Sequence, residues 1–155
     1  METFVECKLE DLLKIFSLEK SKLIAGAWMS SFGKNKLGLN LKAYKWHVFS
    51  GGGYPAASGT QAESMYAEHE VESYIVMPNG SGLAFLTSKK PKGLNSIDCY
   101  IFPENMAWTM AFTHEEGWLG PYFAEHRDYL LLESQNKARM KKLLQINKAK
   151  DKGWA

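Results

Sequence analysis

The sequence predicts an α+β domain in which an antiparallel β-sheet of about four to five strands is packed by N- and C-terminal helices. Three observations lead to this class. The 155 residues are 45% hydrophobic and 13% aromatic, which is enough for one buried core. Four strand-like segments follow one another between residues 71 and 113. Helical patterns precede and follow them, an order typical of an antiparallel sheet covered by helices on one side.

The first third of the chain predicts two helices and one strand. Apolar residues at helical spacing lie between Ser17, a good N-cap, and Gly33, a residue type common just beyond a helix end. A shorter helix is expected over residues 9–16. The segment YKWHVFS, residues 44–50, is β-branched and aromatic and is followed by three glycines, so it is predicted to be a strand or an extended segment.

The middle of the chain predicts a short helix and two hairpins. Thr60 and Glu63 have the spacing of a capping box, which predicts a helix over about residues 61–69. Strands over residues 71–77 and 83–87 flank Asn79-Gly80, a pair that favours a tight hairpin turn. Strands over residues 97–102 and 106–113 flank a second turn with the sequence PEN.

Alternation predicts a register for the second hairpin. Pairing Ile101 with Met106 brings Cys99 opposite Trp108 and leaves a four-residue loop, 102–105. The bulky apolar side chains then share one face of the hairpin. The opposite face, which would line a shallow groove or lie under a helix, holds Asp98, Tyr100, Thr109 and Thr113.

The C-terminal segment predicts a basic helix at about residues 129–148, within a single domain that spans residues 1–155. Residues 133–152 carry seven Lys or Arg and two acids, a net charge of +5, whereas the rest of the chain carries 12 basic and 15 acidic residues, a net charge of −3. Such a run is most often the solvated face of a terminal helix. No aromatic-stacking motif is interleaved with it, which argues against RNA or single-stranded nucleic acid. Nucleic acid is not the expected partner, but binding of its phosphates by this segment stays an alternative.

Composition also bears on location and redox state. No apolar run approaches the roughly 20 residues needed to span a bilayer, so no membrane partner is expected. The N-terminal sequence METFVECKLEDLL has acids where a secretory signal has basic residues. Cys7 and Cys99 do not form a Cys-x-x-Cys pair, which argues against a zinc knuckle and a redox dithiol. We therefore expect a cytoplasmic protein with reduced thiols.

His114 and Glu115 form the most catalytic pattern in the sequence. A carboxylate beside a histidine fixes its tautomer and raises its basicity, so His114 with Glu115 or Asp98 could serve a hydrolase. The zinc motif H-E-x-x-H is absent because position 118 is Trp. We favour the alternative, in which His114 hydrogen-bonds a loop carbonyl while Glu115 and Glu116 are solvated. No catalytic residue, metal or cofactor is therefore predicted.

The segments YKWHVFS, IDCYIFPENMAWTMAFTHE and GPYF resemble the domain-of-unknown-function family 4275, which comprises small, mostly bacterial proteins. The resemblance spans about residues 28–123 and implies no activity. Small single-domain bacterial proteins of this kind resemble immunity proteins that neutralise a toxin. The motif positions include Trp46, His47, Trp108, Thr109, Thr113 and His114.

We expect a non-enzymatic protein-binding module of the immunity type, which neutralises a bacterial toxin by occluding it. Its partner is then another protein. Trp118 and Tyr122 are candidate aromatic anchors, and Glu115 and Glu116 offer charge to a basic partner. For Trp118, covering the sheet end is the commoner alternative to exposure. The alternative function is a hydrolase that uses His114 with a nearby carboxylate.

Overall fold

The β-sheet is larger than the sequence predicts. A computed structural model describes residues 10–33, 44–80, 82–92, 94, 97–115, 119–151 and 153, and these form one antiparallel sheet of seven strands instead of four to five. The strands are β1 (Leu12–Ile15), β2 (Ala57–Ser58), β3 (Tyr74–Pro78), β4 (Phe85–Thr87), β5 (Cys99–Phe102), β6 (Trp108–Phe112) and β7 (Tyr122–Glu125). Their order across the sheet is β1-β4-β3-β5-β6-β7-β2. The α+β class and the antiparallel sheet are confirmed, and β1, β2 and β7 are additions.

Helices cover both faces of this sheet. The helices of the described residues are α1 (Leu18–Phe32), α2 (His47–Ser50), α3 (Gly59–Glu68) and α4 (Tyr129–Asp151). One hydrophobic cluster joins α1 and α2 to one face, and a second cluster joins α3 and α4 to the other. The prediction that helices cover only one side is therefore wrong. Every residue of β5 and β6 is buried, which requires cover on both faces.

Helix α1 follows its sequence pattern closely. The Ser17 side chain accepts a hydrogen bond from the backbone N of Lys20 at 3.1 Å, and Gly33 closes the helix. The inner side of α1 presents Trp28, whose indole Nε1 donates to the Thr109 hydroxyl at 2.9 Å. The polar face of the second hairpin therefore lies under a helix.

Three other local predictions are wrong. Residues 12–15 form strand β1, paired with β4, where the pattern predicts a helix over residues 9–16; residue 9 lies outside the described part. Residues 47–50 form α2 and not a strand. Helix α3 begins at Gly59, so Thr60 already lies inside it and does not cap it; the N-cap, Ser58, makes no side-chain capping bond.

The second hairpin pairs four residues away from the predicted register. Residues 103–107 connect its strands, so the predicted four-residue loop is also wrong. Met106 leaves the ladder with φ 57°, and the Asn105 side chain accepts from the backbone N of Ala107 at 3.1 Å. A shift of four is even, so the residues of β5 and β6 keep their predicted faces. Met106 and Ala107, which precede β6, exchange theirs: Met106 packs on the side of Tyr100, and Ala107 on the side of Trp108. The observed pairs are Cys99–Phe112, Tyr100–Ala111 and Ile101–Met110.

Polar side chains join helix α4 to the connection between β5 and β6 and to the end of α3. Its buried residues are Glu133 and Asn136. The Asn136 side-chain N donates to Glu133 Oε1 at 3.1 Å and to Asn105 Oδ1 at 3.2 Å. Glu133 Oε2 lies 3.8 Å from His69 Nε2, which is 2.6 Å from the Tyr129 hydroxyl. Helix α4 begins at the predicted residue and runs slightly beyond the predicted end. No helix of the described residues is long and apolar enough to cross a membrane.

Candidate functional site

One corner of the sheet gathers polar and aromatic side chains from three separated segments of the chain. The segments are the turn before α2 together with the first residue of α2, the residue before β5, and the residues that follow β6. We name this cluster the His114 corner. Its members are Tyr44, Trp46, His47, Asp98, His114 and Glu115.

Trp46 fixes the turn before α2 to the sheet. Its side chain is only 1% exposed. Its backbone N donates to the Tyr100 hydroxyl and its indole Nε1 donates to Asp98 Oδ1, both at 2.8 Å. The backbone N of Lys45 donates to Asn79 Oδ1 at 2.9 Å, and the same oxygen accepts from the Tyr100 hydroxyl at 2.7 Å. Because side chains supply these bonds, residues 44–50 are held without joining the β-ladder.

Asp98 orients the His114 ring. Its carboxylate accepts from the His114 backbone N at 3.1 Å, and both carboxylate oxygens lie 2.9 Å from His114 Nδ1. A carboxylate partner assigns the proton to Nδ1. The other ring nitrogen, Nε2, faces Glu115 Oε1 at 3.6 Å. His114 thus lies between two carboxylates, and not against a loop carbonyl as the sequence led us to favour.

The charges of this corner are accessible to solvent. The side chain of His114 is 37% exposed, that of Glu115 39% and that of Asp98 19%. The hydrogen bond to Asp98 raises the pKa of His114; the charges of Asp98 and Glu115 also raise it, against a desolvation contribution that lowers it. The ring therefore keeps its proton to a higher pH than a free histidine does, and the protonated corner carries one net negative charge.

Flat rings extend the corner on one side. The rings of Trp46 and His47 stack with centroids 4.6 Å apart and an interplanar angle of 10°. Tyr44 stacks on His47 at 5.7 Å, and its ring centroid lies 4.9 Å from that of His114. Tyr44 and His47 are half-buried, so each keeps exposed surface. Such a surface can stack against a planar cation while the carboxylates bind its donors.

Thr113 closes the loop that follows the corner. Its hydroxyl donates to the Leu119 carbonyl and accepts from the backbone N of Glu115. The Leu119 N donates back to the Glu115 carbonyl at 2.8 Å. Glu116 and Trp118, which the sequence suggests as partner-binding residues, lie outside the described residues.

Three other predicted site residues are interior. Tyr122 is 6% exposed, its ring stacks on Trp46 at 6.3 Å, and burial raises the pKa of its hydroxyl. Thr109 is fully buried beneath α1. Trp108 is fully buried on the opposite face of the sheet, and its indole N–H has no hydrogen-bond partner in the part of the chain described. The structure therefore brings together Trp46, His47, Thr113, His114 and Glu115, and separates Trp108 from them.

The sequence places Tyr44 in the YKWHVFS segment, Tyr100 in the second hairpin and Asn79 in a turn, but it gives no signal that these three residues meet at one site. Asp98 is one of the two carboxylates that the sequence offers to His114, but the predicted hairpin register does not bring these two residues together. The predicted pairing places Asp98 opposite Thr109. The observed pairing, continued one residue beyond Cys99–Phe112, places Asp98 beside Thr113 and hence next to His114.

The chemistry available at the corner is hydrogen bonding, charge pairing, ring stacking and proton exchange at an imidazole. Across the described residues there is no group of three or more His, Cys, Asp or Glu side chains that could hold a metal ion.

The fold and this corner define a small α+β protein with an accessible cluster of charged and aromatic side chains. The chain belongs to the family described as "Domain of unknown function (DUF4275)", whose model matches residues 29–123. That match confirms the resemblance given by the motifs, contains the whole His114 corner and ends before α4. No curated protein and no solved structure is detectably similar to the chain.

Proposed function

We propose that this protein is a protein-binding module of the immunity type, which neutralises a toxin by covering its active site with the His114 corner. One observation carries the proposal. Two accessible carboxylates, Asp98 and Glu115, flank His114 beside a stacked aromatic surface, on a framework of side-chain hydrogen bonds.

The corner fits a cationic side chain of the partner. The Asp98 carboxylate already accepts three hydrogen bonds within the protein, so Glu115 is the carboxylate with room for a partner. A guanidinium group can bind a carboxylate through paired N–H groups and lie flat on the rings of Tyr44 and His47. Enzymes that act on polyanions carry such basic groups in their active sites, and a toxin of that class would be blocked by occlusion.

The corner is also held rigidly before any partner binds. Trp46 is buried and makes two hydrogen bonds to the sheet, and Asp98 holds both the backbone and the ring of His114. A preorganised surface loses little conformational entropy on association, which favours tight binding by a small interface.

The test compares Glu115→Lys with a matched control, Glu68→Lys. Glu68 is exposed at the end of α3, which packs on the opposite face of the sheet. Proteins bound by the wild-type bait in lysate of the native host are identified by mass spectrometry, and the strongest binder is purified for calorimetry. Glu115→Lys should weaken its affinity at least tenfold, about 1.4 kcal/mol, while Glu68→Lys should not.

Toxin neutralisation is tested with the same variants in growing cells. Expression of the binder alone should arrest growth, and co-expression of the wild-type protein or Glu68→Lys should restore it. Glu115→Lys should restore growth less well. A binder that is harmless when expressed alone would refute the immunity role, and equal affinity for both variants would refute the corner as the docking surface.

The Asp98–His114 pair supports a hydrolase as the second candidate. A carboxylate on Nδ1 leaves Nε2 to act as a general base. However, Nε2 faces Glu115 at 3.6 Å, and a ring between two carboxylates favours its protonated form. Turnover of ester, peptide or phosphodiester substrates that His114→Gln abolishes and Glu68→Lys preserves would establish this candidate; no turnover would eliminate it.

A further inference from the structure

The C-terminal half of α4 carries a basic surface that the proposed function does not use. Six Lys or Arg side chains lie between residues 137 and 150, and all six are exposed. Among the described residues, no carboxylate lies within ion-pair distance of any of them. The six are Lys137, Arg139, Lys141, Lys142, Lys148 and Lys150.

Helical spacing divides these side chains into two stripes. Residues three, four, seven, eight or eleven apart lie on the same side of a helix. One stripe, which we name stripe A, comprises Lys137, Lys141 and Lys148. The other, stripe B, comprises Arg139, Lys142 and Lys150. Arg139 also lines a groove that contains Glu72 and Glu104, so stripe A has the less compensated charge.

The two stripes lie on opposite flanks of the outward side of α4. The inward side is defined by the buried Glu133 and Asn136. Between the stripes, the outward side carries an uncharged ridge of small or neutral residues. The ridge consists of Ala138, Gln145 and Ala149.

We propose that α4 docks in the major groove of B-form DNA, with one stripe facing each phosphate backbone. A helix with its side chains is about 10–12 Å across, and this groove is about 12 Å wide. The ridge of small residues permits close approach to the groove floor, and the long lysine stems reach outward to the phosphates. Residues 137–150 span about 20 Å at 1.5 Å per residue, which suffices for several phosphate contacts. Phosphate contacts dominate, so sequence preference is weak.

The arrangement of α4 disfavours other polyanions. A single strand needs aromatic side chains for base stacking, and residues 130–151 contain none. Double-stranded RNA has a major groove that is too narrow for a helix. A membrane surface needs one continuous apolar face, but the exposed Leu144 and Ile146 belong to opposite flanks, beside stripe A and stripe B respectively.

The test is the anisotropy of a labelled 20-base-pair DNA duplex titrated with the full chain at several salt concentrations. The stripe A variant replaces Lys137, Lys141 and Lys148 with Gln. The control variant replaces three exposed lysines of β1 and α1 with Gln and so makes the same change in net charge. These control lysines are Lys14, Lys20 and Lys22.

Loss of stripe A should weaken duplex binding at least tenfold and make the slope of log K against log salt shallower by about 2.7, at about 0.9 per phosphate contact. Replacing stripe B should also weaken binding, because both backbones are engaged. The control should bind within about twofold of wild type. Circular dichroism should show unchanged helix content, since all the replaced side chains are exposed.

Several results would overturn this docking mode. Equal losses in the stripe A and control variants would indicate an effect of net charge alone. Equal affinity for single-stranded DNA or duplex RNA would exclude the major groove. No binding at 50 mM salt would exclude DNA altogether. Glu115→Lys should leave DNA binding intact, so a failure here and a failure of the His114 corner are distinguishable.

Discussion

The bond between α1 and the sheet is tested most directly by replacing Thr109 with valine. Trp28 and Thr109 are both 0% exposed, and the indole Nε1 donates to the Thr109 hydroxyl at 2.9 Å. Valine preserves the shape of threonine but removes the acceptor, which leaves a buried N–H without a partner. Such a loss costs about 1–3 kcal/mol. In a chain of this size each kcal/mol lowers the Tm by roughly 2–4 °C.

A double-mutant cycle isolates this bond. The free energies of unfolding of Thr109→Val, Trp28→Phe and the double variant are measured by urea denaturation. Trp28→Phe alone removes the donor and part of a buried ring, so it should be destabilising as well. The double variant should lose about 1 kcal/mol less than the two single losses combined, because the bond can be lost only once. Additivity within about 0.3 kcal/mol would refute the bond.

Three further predictions follow from burial, charge and backbone geometry. Burial raises the pKa of Cys99 to about 12, so its peptide should stay unlabelled by iodoacetamide at pH 8 until urea is added, as followed by mass spectrometry. The Asp98 carboxylate raises the pKa of His114, so the NMR titration midpoint of the His114 ring should lie above about 6.5, the value for an unfolded chain. The contribution of the Asp98–His114 contact to folding stability is complete below that unfolded value and is lost as pH rises through the folded pKa. A midpoint that Asp98→Asn leaves unchanged would contradict this. Gly120→Ala should destabilise the protein by more than about 1 kcal/mol, because the φ of Gly120 is 89° and the new Cβ would lie 2.9 Å from the Thr113 methyl group. Gly26→Ala is the control: its Cβ would meet no atom within 4 Å, so it should stabilise α1 by about 0.5–1 kcal/mol. Similar chemical-denaturation midpoints for the two variants would count against the loop geometry.

Elements whose determinants are local were predictable from the sequence. Helix α1 is bounded by Ser17 and Gly33, and both act within one turn of the helix. The two strands on either side of Asn79-Gly80 pair directly with each other, as predicted, but residues 79–84 connect them and neither Asn79 nor Gly80 has a positive φ, so the tight turn is wrong. For α1 and for the pairing of these two strands, the signal and the structure it specifies lie within a few residues, so pattern reasoning sufficed.

The His114 corner was less predictable because its determinants are distant. Trp46 takes its partners from Asp98 and Tyr100, which are 52 and 54 residues away. A short aromatic segment therefore forms a turn and a helix although its composition favours a strand, since tertiary bonds override a weak local preference.

The hairpin register shows a different limit. Alternation has a period of two, so it cannot distinguish pairings that differ by four residues. The turn decides between them, and here it places Met106 at φ 57°, which is uncommon for a residue with a side chain. Propensities for ordinary turns do not anticipate such a conformation, and Asp98 was therefore placed beside the wrong neighbour.

The buried polar contacts of Glu133 and Asn136 prevent helix α4 from shifting along its own axis. A helix packed only through leucines could shift along its axis by one turn, because one alkyl group would then replace another. In α4, Glu133 and Asn136 reach their hydrogen-bond and ion-pair partners at one axial position only. Slippage by one turn would carry Lys137 into the buried place of Glu133, at the cost of an unpaired interior charge. Stripes A and B on α4 therefore lie at a constant distance from the His114 corner. Two molecules bound at α4 and at this corner would be held at a fixed distance from each other.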